Sequence, residues 1–139
     1  SAVGQPWDRL DRAAVTLAGL APRLTGPVDP VLAEAAEAER FLRDLADRTA
    51  SVEKAVRLAG PEPRQRLEPA YRTLLGQLEE GVTAYEQLVT AAAGYVAEDG
   101  QSPGFQPSAA ARLVEARDFL HGIAAGLAEL RSVGDPLRR

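Results

Sequence analysis

One spacing pattern limits what this chain can fold into. Apolar and small residues recur in alternating steps of four and three along two successive segments. The first set is Val31, Ala35, Ala38, Leu42, Leu45, Thr49, Val52, Val56 and Ala59. The second set is Leu67, Tyr71, Leu74, Leu78, Gly81, Tyr85, Leu88, Ala92 and Tyr95. Steps of this kind place each set on one side of a helix, as in the seam of a coiled coil. The intervening Gly-Pro-Glu-Pro sequence at 60–63 predicts a tight turn, and therefore an antiparallel helical hairpin.

Two further helices are predicted beside this hairpin. The third helix has a second apolar stripe, seven residues apart, and a helix that is apolar on two faces must bury both. That stripe consists of Leu75, Val82, Val89 and Val96. The partners are a first helix with the stripe Trp7, Leu10, Ala14, Leu17, Ala21 and Leu24, and a fourth with Leu113, Ala116, Leu120, Ile123, Leu127 and Leu130. We therefore predict an all-α fold, a four-helix up-down bundle built on the long coiled-coil hairpin, as a single domain over residues 1–139. The helices are predicted at about residues 6–22, 30–59, 64–97 and 108–132, with a flexible linker at 98–107.

Local residue choices predict where the helices begin and end. Asp29 is a candidate N-cap for the second helix, and Ser108 for the fourth. Gly60 is expected to end the second helix in a left-handed conformation. Pro69 conflicts with an early start of the third helix, because proline is tolerated only in the first turn. That helix is expected either to start near Arg66 or to bend at Pro69.

The hairpin also has a predicted register. If Ala59 faces Leu67 across the turn, then Gly81 lies opposite Leu45. Large seam residues then mostly face small or medium ones, as dense core packing requires. Glycine inside a helix costs about 1 kcal/mol relative to alanine. A close approach by Leu45 would explain why Gly81 is there.

Composition excludes several classes of function. The chain has 139 residues, no Cys and one His, so neither a disulfide framework nor a thiolate metal site is possible. Its net charge is −4 and no helix has a basic stripe, which argues against binding nucleic acid. The longest apolar run, at 88–96, is far shorter than the roughly 20 residues of a membrane span. Arginine greatly outnumbers lysine and asparagine is absent, a bias typical of GC-rich genomes such as those of actinobacteria.

Candidate catalytic residues are few. His121 is the only histidine, and we expect it at the surface or at the edge of the core. Asp118, three residues earlier, gives an isolated near-match to the Glu-x-x-His metal signature of helical bundles. Neighbouring carboxylates such as Glu79 and Glu80 point about 100° apart on a helix and usually only solvate it. The prediction is therefore a protein that is not an enzyme and that holds no cofactor and no metal.

Charge is unevenly distributed along the predicted hairpin. Near its turn, Lys54, Arg57, Arg64, Arg66 and Arg72 outnumber Glu53, Glu62 and Glu68, whereas the opposite end is acidic. In an up-down bundle both chain termini lie at the end where the turn is. A membrane anchor upstream of this chain would therefore attach at the basic end, which anionic lipid headgroups favour.

One run of residues resembles a known family. The run at 77–92, Gln-Leu-Glu-Glu-Gly-Val-Thr-Ala-Tyr-Glu-Gln-Leu-Val-Thr-Ala-Ala, is similar to the PspM family of actinobacterial phage-shock membrane proteins, as are the Val-Glu-Lys-Ala stretch at 52–55 and the first helix. The resemblance implies two membrane spans upstream of a helical domain at the cytoplasmic face of the cell membrane. It also implies a non-enzymatic role in envelope stress, as a partner of a PspA-type coiled-coil membrane-remodelling protein. Residues 98–139 carry no matching motif.

The predicted function is therefore protein interaction by helix docking, in which apolar anchors bind a partner helix and flanking charges select it. The candidate partner-binding residues are Glu79, Glu80, Gly81, Glu86 and Phe105. The alternative is a structural homodimer, in which a leftover apolar stripe on the second or fourth helix pairs with its twin.

Overall fold

A computed structural model describes residues 1–98 and 108–133 of the chain. These residues form four α-helices and two short 3₁₀ turns, and the described ranges contain no strand, which confirms the all-α prediction. The predicted linker after Glu98 lies outside the described residues. The helices are α1 (Gly4–Leu20), α2 (Asp29–Leu58), α3 (Pro61–Glu98) and α4 (Ala109–Val133), and the 3₁₀ turns are η1 (Ala21–Arg23) and η2 (Gly26–Val28).

The connection between α1 and α2 corrects the predicted N-cap. Asp29 is the first residue of α2, and Val28 occupies the cap position without a side-chain hydrogen bond. Asp29 instead places a negative charge in the first turn, where the helix dipole favours it. The chain reverses at Gly26, whose φ of 76° is the only positive value among the described residues. Leu24 and Val28 are buried and close this end of the core.

The turn between α2 and α3 is shorter than predicted, and its cap is different. Only Ala59 and Gly60 separate the two helices, and Gly60 does not adopt the left-handed conformation expected of it. Ala59 is extended, with ψ of 148°. The Arg64 guanidinium caps α2, because it donates to the carbonyls of Val56 (3.2 Å), Ala59 (3.3 Å) and Arg57 (3.4 Å). A side chain from the next helix therefore does what a left-handed glycine was expected to do.

The start of α3 was also predicted too late. The helix begins at Pro61 and continues through Pro69, so the predicted start near Arg66 is wrong. Pro69 lacks the N–H that would bond the carbonyl of Gln65. Both residues are exposed, so water can satisfy that carbonyl.

The shorter turn shifts the register of the hairpin. Gly81 lies against Leu42 rather than Leu45, a displacement of three residues, or about one helical turn. Near the turn, the Tyr71 hydroxyl donates to Glu53 at 2.9 Å. The predicted seam is right, but its axial alignment was wrong because the turn has fewer residues than expected.

The helices α1 and α4 lie in opposite grooves of the hairpin. Arg9 and Asp11 of α1 bind Glu86 of α3 and Arg43 of α2 on one side. On the other side, α4 packs against both α2 and α3. The N-terminus of α1 lies near the turn, where Ser1 Oγ donates to Glu53, and α4 runs from the opposite end back toward the turn. The largest fully buried side chains are Tyr85, Leu10, Leu24, Leu42, Leu45, Leu78, Leu88, Leu113, Leu120, Val28, Val31 and Val82.

Candidate protein-docking site

The half of the hairpin nearest the turn has no core of its own. Between Ala50 and Gln77 no residue is buried, because α1 and α4 reach only part of the way along the hairpin. The seam residues here are half-buried: Val52 and Val56 on α2, and Leu67, Tyr71 and Leu74 on α3. A two-helix seam leaves one flank of each apolar side chain in water. This part of the hairpin therefore has apolar surface that a third helix could cover.

A cleft opens between the hairpin and the C-terminal part of α4. It has a volume of about 340 Å³ and lies between α2, α3 and the last turns of α4. Most of its surface is apolar, and Arg48 is the only charged side chain among the described residues of its lining. The lining residues are Phe41, Leu45, Arg48, Ala70, Thr73, Leu74, Gln77, Leu127 and Leu130. The cleft is thus a mainly apolar groove that continues toward the uncovered seam.

The second half of α4 packs loosely over this cleft. Leu113 and Leu120 are buried, but no residue from 121 to 130 is. Leu127 is half-buried, and Leu130 keeps 63% of its surface exposed. Gly122 and Gly126 face open space and lower the helix propensity of this segment. Two apolar side chains at the cleft are therefore available for contacts with another molecule.

Polar contacts and ion pairs hold the first half of α4 in place. Glu34 of α2 lies 3.1 Å from Nδ1 of His121 and 3.7 Å from the guanidinium of Arg117. Arg112 pairs with Glu98 of α3 at 3.1 Å. His121 is 60% exposed, which agrees with the surface position expected for it. These pairs involve residues of the half of α4 that contains the buried Leu113 and Leu120.

In contrast to the cleft, the groove that holds α1 is occupied by the side chains of that helix. Arg43 lies 4.8 Å from the Trp7 ring centroid and bonds Asp11 at 2.8 Å and Glu39 at 2.9 Å. Burial by itself lowers the pKa of Arg43, but the hydrogen bonds to Glu39 and Asp11 outweigh it and raise the pKa overall. Arg9, also on α1, donates from Nε to Glu86 of α3 at 3.1 Å. Ion pairs and an aromatic contact therefore occupy this side of the hairpin.

The predicted partner-binding residues do not come together at the cleft. Glu79 and Glu80 are exposed on α3, and Glu86 is paired with Arg9. Gly81 is buried against Leu42, so a partner cannot contact it in this conformation. Phe105 lies outside the described residues.

The sequence did not predict that Phe41, Leu127 and Leu130 line a cleft. Leu127 and Leu130 lie on the apolar stripe of the fourth helix and were therefore assigned to the core. Phe41 offered a signal, since it is a large apolar residue adjacent to, but outside, the seam set that contains Leu42 and Leu45. An apolar residue just off a seam indicates a second contact, here with α4 and the cleft.

Metal-ligand groups and membrane-spanning helices are both lacking among the described residues. In the described ranges, no three His, Asp or Glu side chains are grouped as a metal site would require. None of the described helices combines the length and apolar character needed to cross a bilayer.

Comparison with known proteins identifies a family. No curated protein and no solved structure matches the chain. A family model that matches is that of the Rv2743c family, over residues 1–130, which include α1 to α3, most of α4 and the residues that line the cleft. The family name is a mycobacterial one, consistent with the actinobacterial origin that residue usage indicated. The chain belongs to the Rv2743c family.

Proposed function

We propose that this domain is a non-enzymatic protein-interaction module that docks one helix of a PspA-type coiled-coil protein. The docking site is the cleft between α2, α3 and the end of α4, together with the half-buried seam that continues toward the turn. The observation that carries this proposal is the cleft itself, where Leu127 and Leu130 lie over an incompletely filled apolar groove.

Helix packing explains why a coiled-coil helix fits this place. A third helix laid along a two-helix seam puts its apolar stripe between the two rows of seam residues. Half-buried side chains such as Val52, Val56 and Leu74 would then become fully covered. Each apolar group removed from water contributes in proportion to its buried area, about 25 cal/mol per Å² before the costs of association are subtracted.

The charge at the cleft favours an acidic residue on the partner helix. Arg48 lies in the lining, half-buried, and forms no ion pair with any residue in the described ranges. A carboxylate beside it would form a partly desolvated pair, which fixes register more than it adds affinity. Arg48 therefore gives the proposed site its selectivity.

The choice of a PspA-type partner comes from sequence. The chain belongs to the Rv2743c family. The run at 77–92 that resembles the PspM family begins at Gln77, which lines the cleft. A role in envelope stress at the cytoplasmic face of the membrane, through an upstream anchor, belongs to this same proposal.

The proposal is tested by titrating the purified domain with a PspA-type protein from the same organism and following mass by light scattering. We expect a saturable complex. Leu130→Glu should weaken it at least about tenfold, because a carboxylate would have to be buried on the apolar groove. Val15→Glu is the matched control, because Val15 is 73% exposed on α1, away from the cleft.

Two results would contradict the proposal. One is equal binding by the Leu130→Glu and Val15→Glu variants, which would place the partner elsewhere. The other is the absence of any complex together with a doubled mass for the domain alone. If Leu130→Glu abolished that dimer, the cleft would be a homodimer interface, the alternative that the sequence also allowed.

A further inference from the structure

The turn end of the hairpin differs in charge from the rest of the molecule. Residues 54–72, here called the tip, contain five cationic and two acidic side chains, although the whole chain has a net charge of −4. All five cations are exposed. They are Lys54, Arg57, Arg64, Arg66 and Arg72. The tip is thus a cationic end on an acidic protein.

A large apolar side chain lies among these cations. Leu58, the last residue of α2, keeps 77% of its surface exposed, more than any other large hydrophobic residue described. Lys54 is one helical turn earlier, on the same side of α2. Arg64 is held beside the turn by its bonds to the last carbonyls of α2. Lys54, Arg57 and Arg64 therefore lie near Leu58, at a helix end whose last carbonyls are capped.

We infer that the tip binds the surface of an anionic lipid membrane, with Leu58 entering the interface and the cations contacting headgroup phosphates. Apolar side chains combined with basic ones are the chemistry of interfacial membrane binding. Each Lys or Arg near an anionic surface adds attraction that falls off within a Debye length.

Shape favours a membrane over an acidic protein. The tip is convex, because it ends in the two-residue turn of Ala59 and Gly60 between two helices. A helix or peptide partner needs a groove, and neither Leu58 nor the five exposed cations of the tip line the cleft of the proposed docking site. A bilayer surface deforms around a convex end and needs no preformed groove.

The acidic end of the bundle does not oppose this contact. Asp29, at the start of α2, is roughly 40 Å from Leu58 along the helix axis, at 1.5 Å per residue. The Debye length is about 8 Å at physiological ionic strength, so the charges at that end are screened from a membrane at the tip. The molecule can therefore approach an anionic surface end-on.

Vesicle co-sedimentation tests the inference with the whole domain and no partner protein. The domain should bind vesicles that contain phosphatidylglycerol and not vesicles of phosphatidylcholine alone. Lys54→Gln combined with Arg57→Gln should weaken binding roughly 30-fold, since two cations are removed. The matched control is Arg12→Gln combined with Arg40→Gln, which changes net charge equally at two exposed positions away from the tip.

The apolar contribution needs its own pair of variants. Leu58→Ser should weaken vesicle binding roughly tenfold, because the side chain no longer enters the interface. Val15→Ser, at a similarly exposed position on α1, should leave binding unchanged. Circular dichroism of each variant checks that the helices remain formed.

Three results would overturn the inference. The first is no binding of the domain to phosphatidylglycerol vesicles, and the second is an equal loss of vesicle binding in the tip and control variants. The third is a tip variant that no longer binds a PspA-type partner but still binds vesicles. The last result would make the tip a protein-binding surface. No partner protein is present in the vesicle assay. A negative result there would therefore contradict only the membrane inference, and failure of the proposed docking function would be seen separately, in the light-scattering titration.

Discussion

Gly81 of α3 lies directly against Leu42 of α2, so closely that a Cβ atom at position 81 would overlap the Cδ2 atom of Leu42. Leu42 is only 1% exposed and is packed on all sides. Both residues belong to the seam of the hairpin, and its two helices approach closely at this contact.

Gly81→Ala is therefore expected to destabilise the protein by about 1 kcal/mol. Alanine gains up to about 1 kcal/mol of helix propensity, but overpacking a buried contact costs roughly 1–3 kcal/mol. Urea unfolding followed by circular dichroism measures the net change. Gly76→Ala is the matched control, because nothing lies within 4 Å of a Cβ at that exposed position, and it should stabilise by up to about 1 kcal/mol.

A Leu42→Ala background separates the steric overlap with Leu42 from the other effects of Gly81→Ala. In a Leu42→Ala protein the overlapping atom is absent, so Gly81→Ala should become neutral or stabilising there. A Gly81→Ala protein that is as stable as the Gly76→Ala protein would show that Leu42 moves aside without cost.

Arg64→Ala should loosen the turn without unfolding the bundle. The guanidinium caps the carbonyls of Val56 and Ala59, but in an exposed site, so the expected loss is about 0.5–1 kcal/mol. Hydrogen exchange should show faster exchange of amides near the turn and unchanged exchange around Leu78. Arg64→Lys keeps the charge but not the planar fork, and it should restore only part of the protection. Unchanged exchange in Arg64→Ala would mean that water caps α2 equally well.

The two halves of α4 should respond differently to truncation of a leucine. Leu120 is 2% exposed, and Leu120→Ala should cost about 2–5 kcal/mol. Leu127 borders the cleft and is half-buried, so Leu127→Ala should cost roughly 1 kcal/mol. Denaturant midpoints of the two variants provide the comparison. Equal losses would mean that α4 is anchored along its whole length and that the cleft is not a weak point.

Glu53 gives stability that depends on pH. Hydrogen bonds from the Ser1 hydroxyl, and then from Tyr71, lower the pKa of its carboxyl below the ordinary value. A lowered folded-state pKa gives stability that is present above the ordinary glutamate pKa of about 4.3 and is lost as pH falls through the folded value. Thermal unfolding between pH 7 and pH 3 should therefore show a smaller acid-induced loss in Glu53→Gln than in the parent protein. Tyr71→Phe removes one of the donors and should give an intermediate loss. Identical pH profiles for parent and Glu53→Gln would rule out this carboxylate as a source of acid sensitivity.

Helical periodicity in the sequence encodes which side of a helix a residue lies on, and this limits how much of the structure the sequence predicts. Steps of four and three identified the seam of α2 and α3, and Leu113 and Leu120 as buried residues of α4, because the side a residue faces follows from helical geometry. Ser108 was recognised as the cap of α4, and its hydroxyl accepts from the Ala111 N–H at 3.1 Å. The cleft was not predicted, since Leu127 and Leu130 follow the same stripe whether or not their surroundings fill the space around them.

The sequence by itself determined the fold class, the two long helices and the face that each one buries. Only the tertiary structure decided the register that places Gly81 on Leu42, the opposite grooves occupied by α1 and α4, and the length of hairpin left uncovered. The physical reason is that a seam with steps of three and four still matches itself after a shift of one turn. Its axial alignment therefore depends on the two-residue turn and its Arg64 cap, which periodicity does not encode.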